Sequence, residues 1–312
     1  MGASEDLFNF TVVGVAILSI AIGLRLWTRV VIRRSFGWDD AALSVSFIGY
    51  ILFASFTLAA LHYGFGTSPV QPWFDPQKAH RYMLAGQISY VLTACTVKIS
   101  IGLVLLRINI RRSITIILII LMVFVTISTL VIVLILVLQC RPLSLYWGVG
   151  KGTCLNWETI IQTAIALSVC GIISQCLLSL LPIPMLWNVQ ISRFEKVSIS
   201  ALLGLGIVSS IATLVRFKYI FTASDGRDIN AGPDSLTGQL ISILWSNVEV
   251  FLSMLATSLV ACRPALKLAV ETVSMSFVKT RSLVFNNTEG YRELLNLRQQ
   301  ESDGESTEMS SV

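Results

Sequence analysis

Lys98, Arg216 and Glu249 stand inside long apolar runs, where an ionised side chain is costly unless a partner of opposite sign lies beside it. Lys98 precedes Arg107 by nine residues, which at 1.5 Å per residue sets it about 13 Å from the arginine end of its run. Glu249 precedes Arg263 by fourteen residues, about 21 Å on the same scale. A lysine stem and helix tilt close that gap, so an ion pair Lys98–Glu249 is expected. Ala94 and Gly102 flank Lys98 at i−4 and i+4, small residues that let a neighbouring helix approach. Ser242, Ser246, Glu249 and Ser253 form a polar stripe at helical spacing, which should face other helices. Such a pair either fixes helix packing or serves function, as a switchable lock or as the floor of a ligand cavity. Arg216, near the outer end of its run, reads as an anchor that snorkels towards the interface.

Other chemistry is scarce. The sequence has no His/Cys/Glu metal spacing, no nucleotide-binding glycine loop and no serine nucleophile elbow. The two histidines, His62 and His80, read as isolated loop residues after the second apolar stretch and before the third. The seventh stretch has no lysine for a retinal Schiff base. No catalytic residue, cofactor, metal or nucleic-acid partner is expected.

The elements that must position these residues are membrane helices. Of 312 residues, 54% are hydrophobic and 13% charged, against about 25% charged in a soluble domain, so lipid is the expected solvent. A bilayer core of roughly 30 Å asks for about 20 apolar residues per helix. Seven stretches qualify: Phe8–Trp27, Ala41–Leu61, Met83–Leu106, Ile114–Leu138, Thr159–Leu181, Val197–Phe221 and Leu240–Ala261. The fold class is therefore an all-α integral membrane bundle of seven transmembrane helices. Asp39 and Asp40 open the second stretch, where acids cap free amides and complement the helix dipole. Pro182 and Pro184 end the fifth.

Arg29, Arg33, Arg34, Arg107, Arg111, Arg112, Arg193 and Lys196 crowd the odd-numbered loops, and Arg263 and Lys267 begin the tail. The bias puts those loops in the cytosol, the N-terminus outside and the C-terminus inside. Residues 1–8 are expected outside, 9–266 as the membrane domain, and 267–312 as a tail, first amphipathic and then disordered. Glu5 and Asp6 stand where a cleaved leader would carry positive charge, and Asp6 breaks the myristoylation pattern. Cys140 and Cys154 flank an outer loop, where oxidising conditions favour a disulfide. The other cysteines, Cys95, Cys170, Cys176 and Cys262, read as small packing residues. Asn9-Phe10-Thr11 is an outer glycosylation sequon that abuts the first helix, and Asn286-Asn287-Thr288 lies on the silent side.

A series of short motifs resembles the fungal rhodopsin-like domain family of seven-helix membrane proteins, which includes the satratoxin-cluster membrane proteins and receptor-like surface-sensing relatives. The resemblance covers roughly Arg25 to Leu266. It rests on Gly37-Trp38-Asp39-Asp40, Tyr63-Gly64-Phe65-Gly66, Lys98-Ile99-Ser100 with Arg107, and Cys140-Arg141-Pro142 with Trp147 and Cys154. It continues with Leu181-Pro182-Ile183-Pro184 and Lys196, then Arg216, then Trp245 with Glu249. Two positions depart from the family pattern. Gln175 stands where an aspartate is frequent, and Val260 where a proline is. The short stretch before the first helix holds no cysteine-rich sensing module of the kind some members carry.

The resemblance implies an orphan receptor-like protein of the plasma membrane, with ligand-driven signalling that does not use retinal. Its expected partners are the lipid bilayer, a small or apolar ligand and a cytosolic signalling protein. Lys98, Glu249, Trp245 and Ser246 are the ligand or switch candidates. A membrane-embedded tailoring enzyme of fungal secondary metabolism is the second reading, and a transporter the third.

Overall fold

The computed structural model describes residues 3–32, 34, 36–65, 74–109, 112–181, 183, 204–218 and 233–261. Among the described residues there are seven α-helices. α1 is Ala3–Trp27, prolonged by a π-helical turn, Thr28–Ile32. α2 is Trp38–His62, α3 Pro76–Ile108, α4 Arg112–Leu138 and α5 Trp157–Leu180. α6 covers residues 204–218, and α7 is Pro233–Ala261. Met1–Cys262 is one compact unit and Arg263–Val312 a second. The second unit holds the expected amphipathic stretch and tail and lies outside the described residues.

Local chemistry explains the helix ends. Gly37 is extended at the start of α2, and the Asp40 carboxylate accepts its N–H at 3.2 Å. α3 starts well before the expected Met83. Pro76 occupies its first turn, and the Asp75 side chain accepts the Lys78 N–H at 3.2 Å. That N–H is the main reason the Asp75 carboxyl lies below its ordinary range. His80, expected ahead of the third helix, is thus inside α3, with Nδ1 2.7 Å from the Pro76 carbonyl. His62 is the last residue of α2 and not a loop residue.

Among the described residues, five helices are long and apolar enough to cross a bilayer: Ser4–Val31, Trp38–His62, Pro76–Arg107, Arg112–Leu138 and Gly238–Leu259. α5 adds an apolar stretch, Ser168–Leu180. α4, the most apolar of the five, has only 17% of its apolar window buried, against 56% for α3. A surface that meets lipid needs no polar partner, whereas α3 packs on α2, α4, α5 and α7 and carries the polar groups. Its Gly102 gives α4 room: a Cβ there would lie 2.7 Å from the Met122 sulfur. α1 packs chiefly on α7, and a core of Leu18, Leu43, Tyr50, Val97, Leu118 and Met254 joins these helices.

The end of the bundle bearing His62 and Pro76 is closed by aromatic rings. Tyr63 and Tyr82 stack at 5.5 Å, Lys78 lies 5.4 Å over Tyr63, and Arg81 lies 4.8 Å over Trp147. Trp147 ends a short 3₁₀ turn, Leu143–Trp147, between two paired strands, Cys140–Arg141 and Thr153–Cys154. A Cys140–Cys154 disulfide joins the strands. Burial raises the hydroxyl pKa of the neighbouring Tyr146.

Gly64 follows α2 with φ +90°, and a Cβ there would overlap the Phe74 ring. Gly64→Ala should therefore cost about 1–2 kcal/mol in backbone strain alone, plus the ring displacement. Thermal unfolding in detergent micelles checks this; an unchanged midpoint would show that the turn relaxes freely.

Candidate functional site

Two polar clusters sit between the helices. The first lies halfway along α3 and α7. Tyr90 donates its hydroxyl to Glu249 Oε2 at 2.9 Å. Arg216 Nε of α6 stands 3.9 Å from the same oxygen, and its guanidinium lies 5.1 Å from the Tyr90 ring centre. Glu249 is buried, as is Ser246 one turn before it. Below Glu249, Ser209 of α6 is 3.0 Å from Ser253 of α7 and accepts from Gln175 of α5 at 3.2 Å. Gln175, standing where the resemblance led one to expect an acid, thus ties α5 to α6.

The expected Lys98–Glu249 contact does not form. Lys98 Nζ instead donates to the Gly171 carbonyl at 3.4 Å and to Ser174 Oγ at 3.3 Å, both on α5. The reason is angular. Eight residues separate Tyr90 from Lys98, which turns the lysine about 80° around α3, away from the face that meets α7. Arg216 takes the place assigned to Lys98. It points inwards to Glu249 and Tyr90 and does not snorkel to the interface, because an acid lies within reach.

A cavity of about 40 Å³ adjoins this cluster. Phe53, Thr57, Tyr82, Gln87, Tyr90 and Ser246 line it among others, so Tyr90 belongs to both cavity and cluster. Trp245 is half-buried beside Ser246 on α7.

The second cluster is at the far end of the same helices. Arg25 of α1 is completely buried; its Nε donates to Asp40 at 2.8 Å and its Nη2 to Asp39 at 3.0 Å. Its remaining terminal nitrogen donates to the Thr257 carbonyl of α7. Arg29 approaches Asp39 at 3.5 Å and Asp40 at 3.7 Å. Arg107 of α3 reaches Asp39 at 3.2 Å, and Ser100 donates to the Asp39 carbonyl at 3.1 Å. Asp40 does cap α2, but both aspartates are also buried anions bound to arginines. A capping reading alone overlooks Arg25. The available signal was two adjacent acids opening an apolar helix, a pattern that demands cations from elsewhere.

The model of the fungal rhodopsin domain family matches residues 24–268, a span that takes in both clusters. The chain belongs to that family. No curated protein and no solved structure matches it. Within this fungal rhodopsin domain the recurring motifs acquire physical roles. Asp39, Asp40 and Arg107 make the second cluster, Gly64 makes the turn after α2, and Arg216 and Glu249 meet in the first. Gly66, Pro182 and Pro184 lie outside the described residues, as do Cys262 and the tail sequon at Asn286. Cys95, Cys170 and Cys176 are free thiols. Asn9 is exposed within α1, while Thr11 of its sequon is buried and bonded to the Leu7 carbonyl at 2.7 Å.

Sequence reasoning about this fungal rhodopsin domain passed over Tyr90, Tyr50 and Asn247. Asn247 is fully buried on α7 with neither amide atom hydrogen-bonded, and the buried Tyr50 hydroxyl likewise has no partner. Nothing in their spacing distinguishes them from ordinary helix residues.

Two measurements probe the clusters. Asp40→Ala leaves Arg25 buried with half its charge partners and should destabilise by about 3–5 kcal/mol. Arg107→Ala, whose side chain is 45% exposed, should cost no more than about 1 kcal/mol. Equal losses in thermal unfolding would contradict that ranking. In a double-mutant cycle, Tyr90→Phe with Glu249→Gln should couple by about 1 kcal/mol or more. Lys98→Met with Glu249→Gln should couple less; the reverse order would restore the lysine as the partner of Glu249.

Proposed function

We propose that this protein is a seven-helix receptor-like membrane protein, with its N-terminus outside and the Arg25–Asp39–Asp40 cluster on the cytosolic side. A small ligand binding near Tyr90 and Glu249 shifts the balance between two helix packings, and the inner loops present the result to a cytosolic partner. The observation that carries this reading is that α7 belongs to both clusters. Glu249 holds its middle through Tyr90, and the Thr257 carbonyl holds its C-terminal end through Arg25. Between them Ser253 bonds Ser209, and the Thr257 hydroxyl donates to the Ser253 carbonyl at 2.6 Å. A shift of α7 at one cluster therefore alters hydrogen bonds at the other. Lys98, Trp245 and Ser246 line or flank the same region and remain the switch candidates with Glu249. The plasma membrane suits the role, since a surface receptor must meet external ligands.

The test compares a deletion strain with strains carrying wild type, Tyr90→Phe or Glu249→Gln, recording signalling output and extracellular metabolites together. The receptor reading expects altered signalling in deletion and both variants, with an unchanged metabolite profile. An accumulated unmodified precursor with normal signalling would replace it by a tailoring-enzyme reading.

A further inference from the structure

Buried hydroxyls along these helices find a backbone carbonyl four residues earlier, as those of Thr11, Ser46, Thr57 and Ser246 do. Tyr50 and Asn247 break that pattern. Among the described residues, nothing hydrogen-bonds the Tyr50 hydroxyl, Asn247 Nδ2 or Asn247 Oδ1. Both residues are without any exposure to solvent. The phenol ring carries its hydroxyl beyond the reach of its own helix backbone, so the serine and threonine device does not serve it. Polar atoms taken from water and given no partner are strongly unfavourable, and three such atoms in one region call for a ligand.

Their places in the fold converge. α2 and α7 run in opposite directions, since Asp40 at the start of one and Thr257 near the end of the other both bond Arg25. Phe53 of α2 and Ile243 of α7 line one small cavity. One turn from each towards the Arg25 end stand Tyr50 on α2 and Asn247 on α7. α1 closes the third side. A Cβ on Gly14 would lie 2.9 Å from the Tyr50 hydroxyl and 3.6 Å from the Phe251 ring, and Phe251 follows Asn247 by one turn. The hydroxyl thus reaches the α1 backbone where glycine leaves it uncovered by a side chain.

The unmet atoms define the chemistry of their partner. Asn247 Nδ2 and the Tyr50 hydroxyl offer protons, while Asn247 Oδ1 and the hydroxyl oxygen accept them. A cation would leave Nδ2 unmet and an anion would leave Oδ1 unmet, so the partner is neutral and both donates and accepts. Complete burial of both residues restricts it to the smallest such molecule. We propose that Tyr50 and Asn247 bind an internal water where α1, α2 and α7 meet. A buried water makes about three hydrogen bonds, and the hydroxyl, Oδ1 and Nδ2 supply that number. Asn247 lies two residues before Glu249, about 200° around α7, so this site is on the opposite face from the Tyr90–Glu249 cluster. It stands whether or not the protein signals.

X-ray hydroxyl-radical footprinting of the full chain in nanodiscs reads such a water, because a radical formed from a bound water attacks the side chain beside it. Tyr50 should gain a hydroxyl on its ring despite its burial. Met254, equally buried and more easily oxidised, reports radicals that leak in from outside, and should gain less oxygen than Tyr50. After rapid mixing into water of the heavy oxygen isotope, the oxygen added to Tyr50 should keep the light isotope longer than that on exposed Trp38. Asn247→Leu removes two of the three partners and should abolish the excess labelling of Tyr50. Labelling of Tyr50 at or below that of Met254, as a dry bond between Tyr50 and Asn247 would give, overturns the water without any variant having to fold. So does isotope exchange at Tyr50 as fast as at Trp38. Unchanged labelling of Tyr50 in Asn247→Leu overturns the assignment to Asn247.

Discussion

Arg25 is the residue on which the end of the bundle bearing Asp39 and Asp40 closes. A guanidinium with no exposure to solvent requires acceptors for its fixed fork of donors, and it finds them on two other helices: Asp39 and Asp40 at the start of α2, and the Thr257 carbonyl on α7. The aspartates repel one another and require more than one cation, so Arg29 from the π-helical turn and Arg107 from α3 are drawn in as well. Four helices are thereby held at one level by directional bonds. Packing of apolar side chains alone does not select such a level, since Leu and Ile slide past one another at small cost in a lipid solvent.

α7 carries the consequences upwards. Its first face, through Thr257 and Phe251, meets α1, where Phe251 stands edge-on to Phe10 at 5.7 Å. Its second face, through Ser246, Glu249 and Ser253, meets α3 and α6. The hydroxyls along it mostly bond back to the carbonyl four residues earlier, as Ser246, Thr257 and Ser258 do. Such bonds satisfy a buried hydroxyl cheaply and loosen the helix slightly, which suits an element that joins two clusters. The same device recurs in Thr11, Ser46 and Thr57 on α1 and α2.

The distribution of polarity follows the solvent. α4 faces outwards with apolar side chains and has no charge after Arg112 at its start, while α3 carries Tyr90, Thr93, Lys98 and Ser100 inside. At the opposite end from Arg25, rings and cations replace buried ion pairs. Tyr63, stacked on Tyr82, offers its face to Lys78 and Trp147 offers its face to Arg81, a contact that tolerates water.

Helical class, the stretches that form the helices, the membrane as solvent and the Cys140–Cys154 bridge could all be drawn from the sequence. They depend on local quantities: length and apolarity of a run, and two cysteines around one loop. The family, too, was visible in its short motifs. What each buried charge touches was not. Lys98 and Glu249 invite pairing because each is an isolated charge, yet their partners depend on rotation about the helix axis and on which helix lies alongside. Those are properties of packing, so Arg216 replaced Lys98 beside Glu249, and Tyr90 entered unannounced. Asp39 and Asp40 announced themselves as helix caps, a role their own backbone requires. Their second role needed Arg25, fourteen and fifteen residues away, to be folded back against them, and only the tertiary structure brings those charges to 3.0 and 2.8 Å.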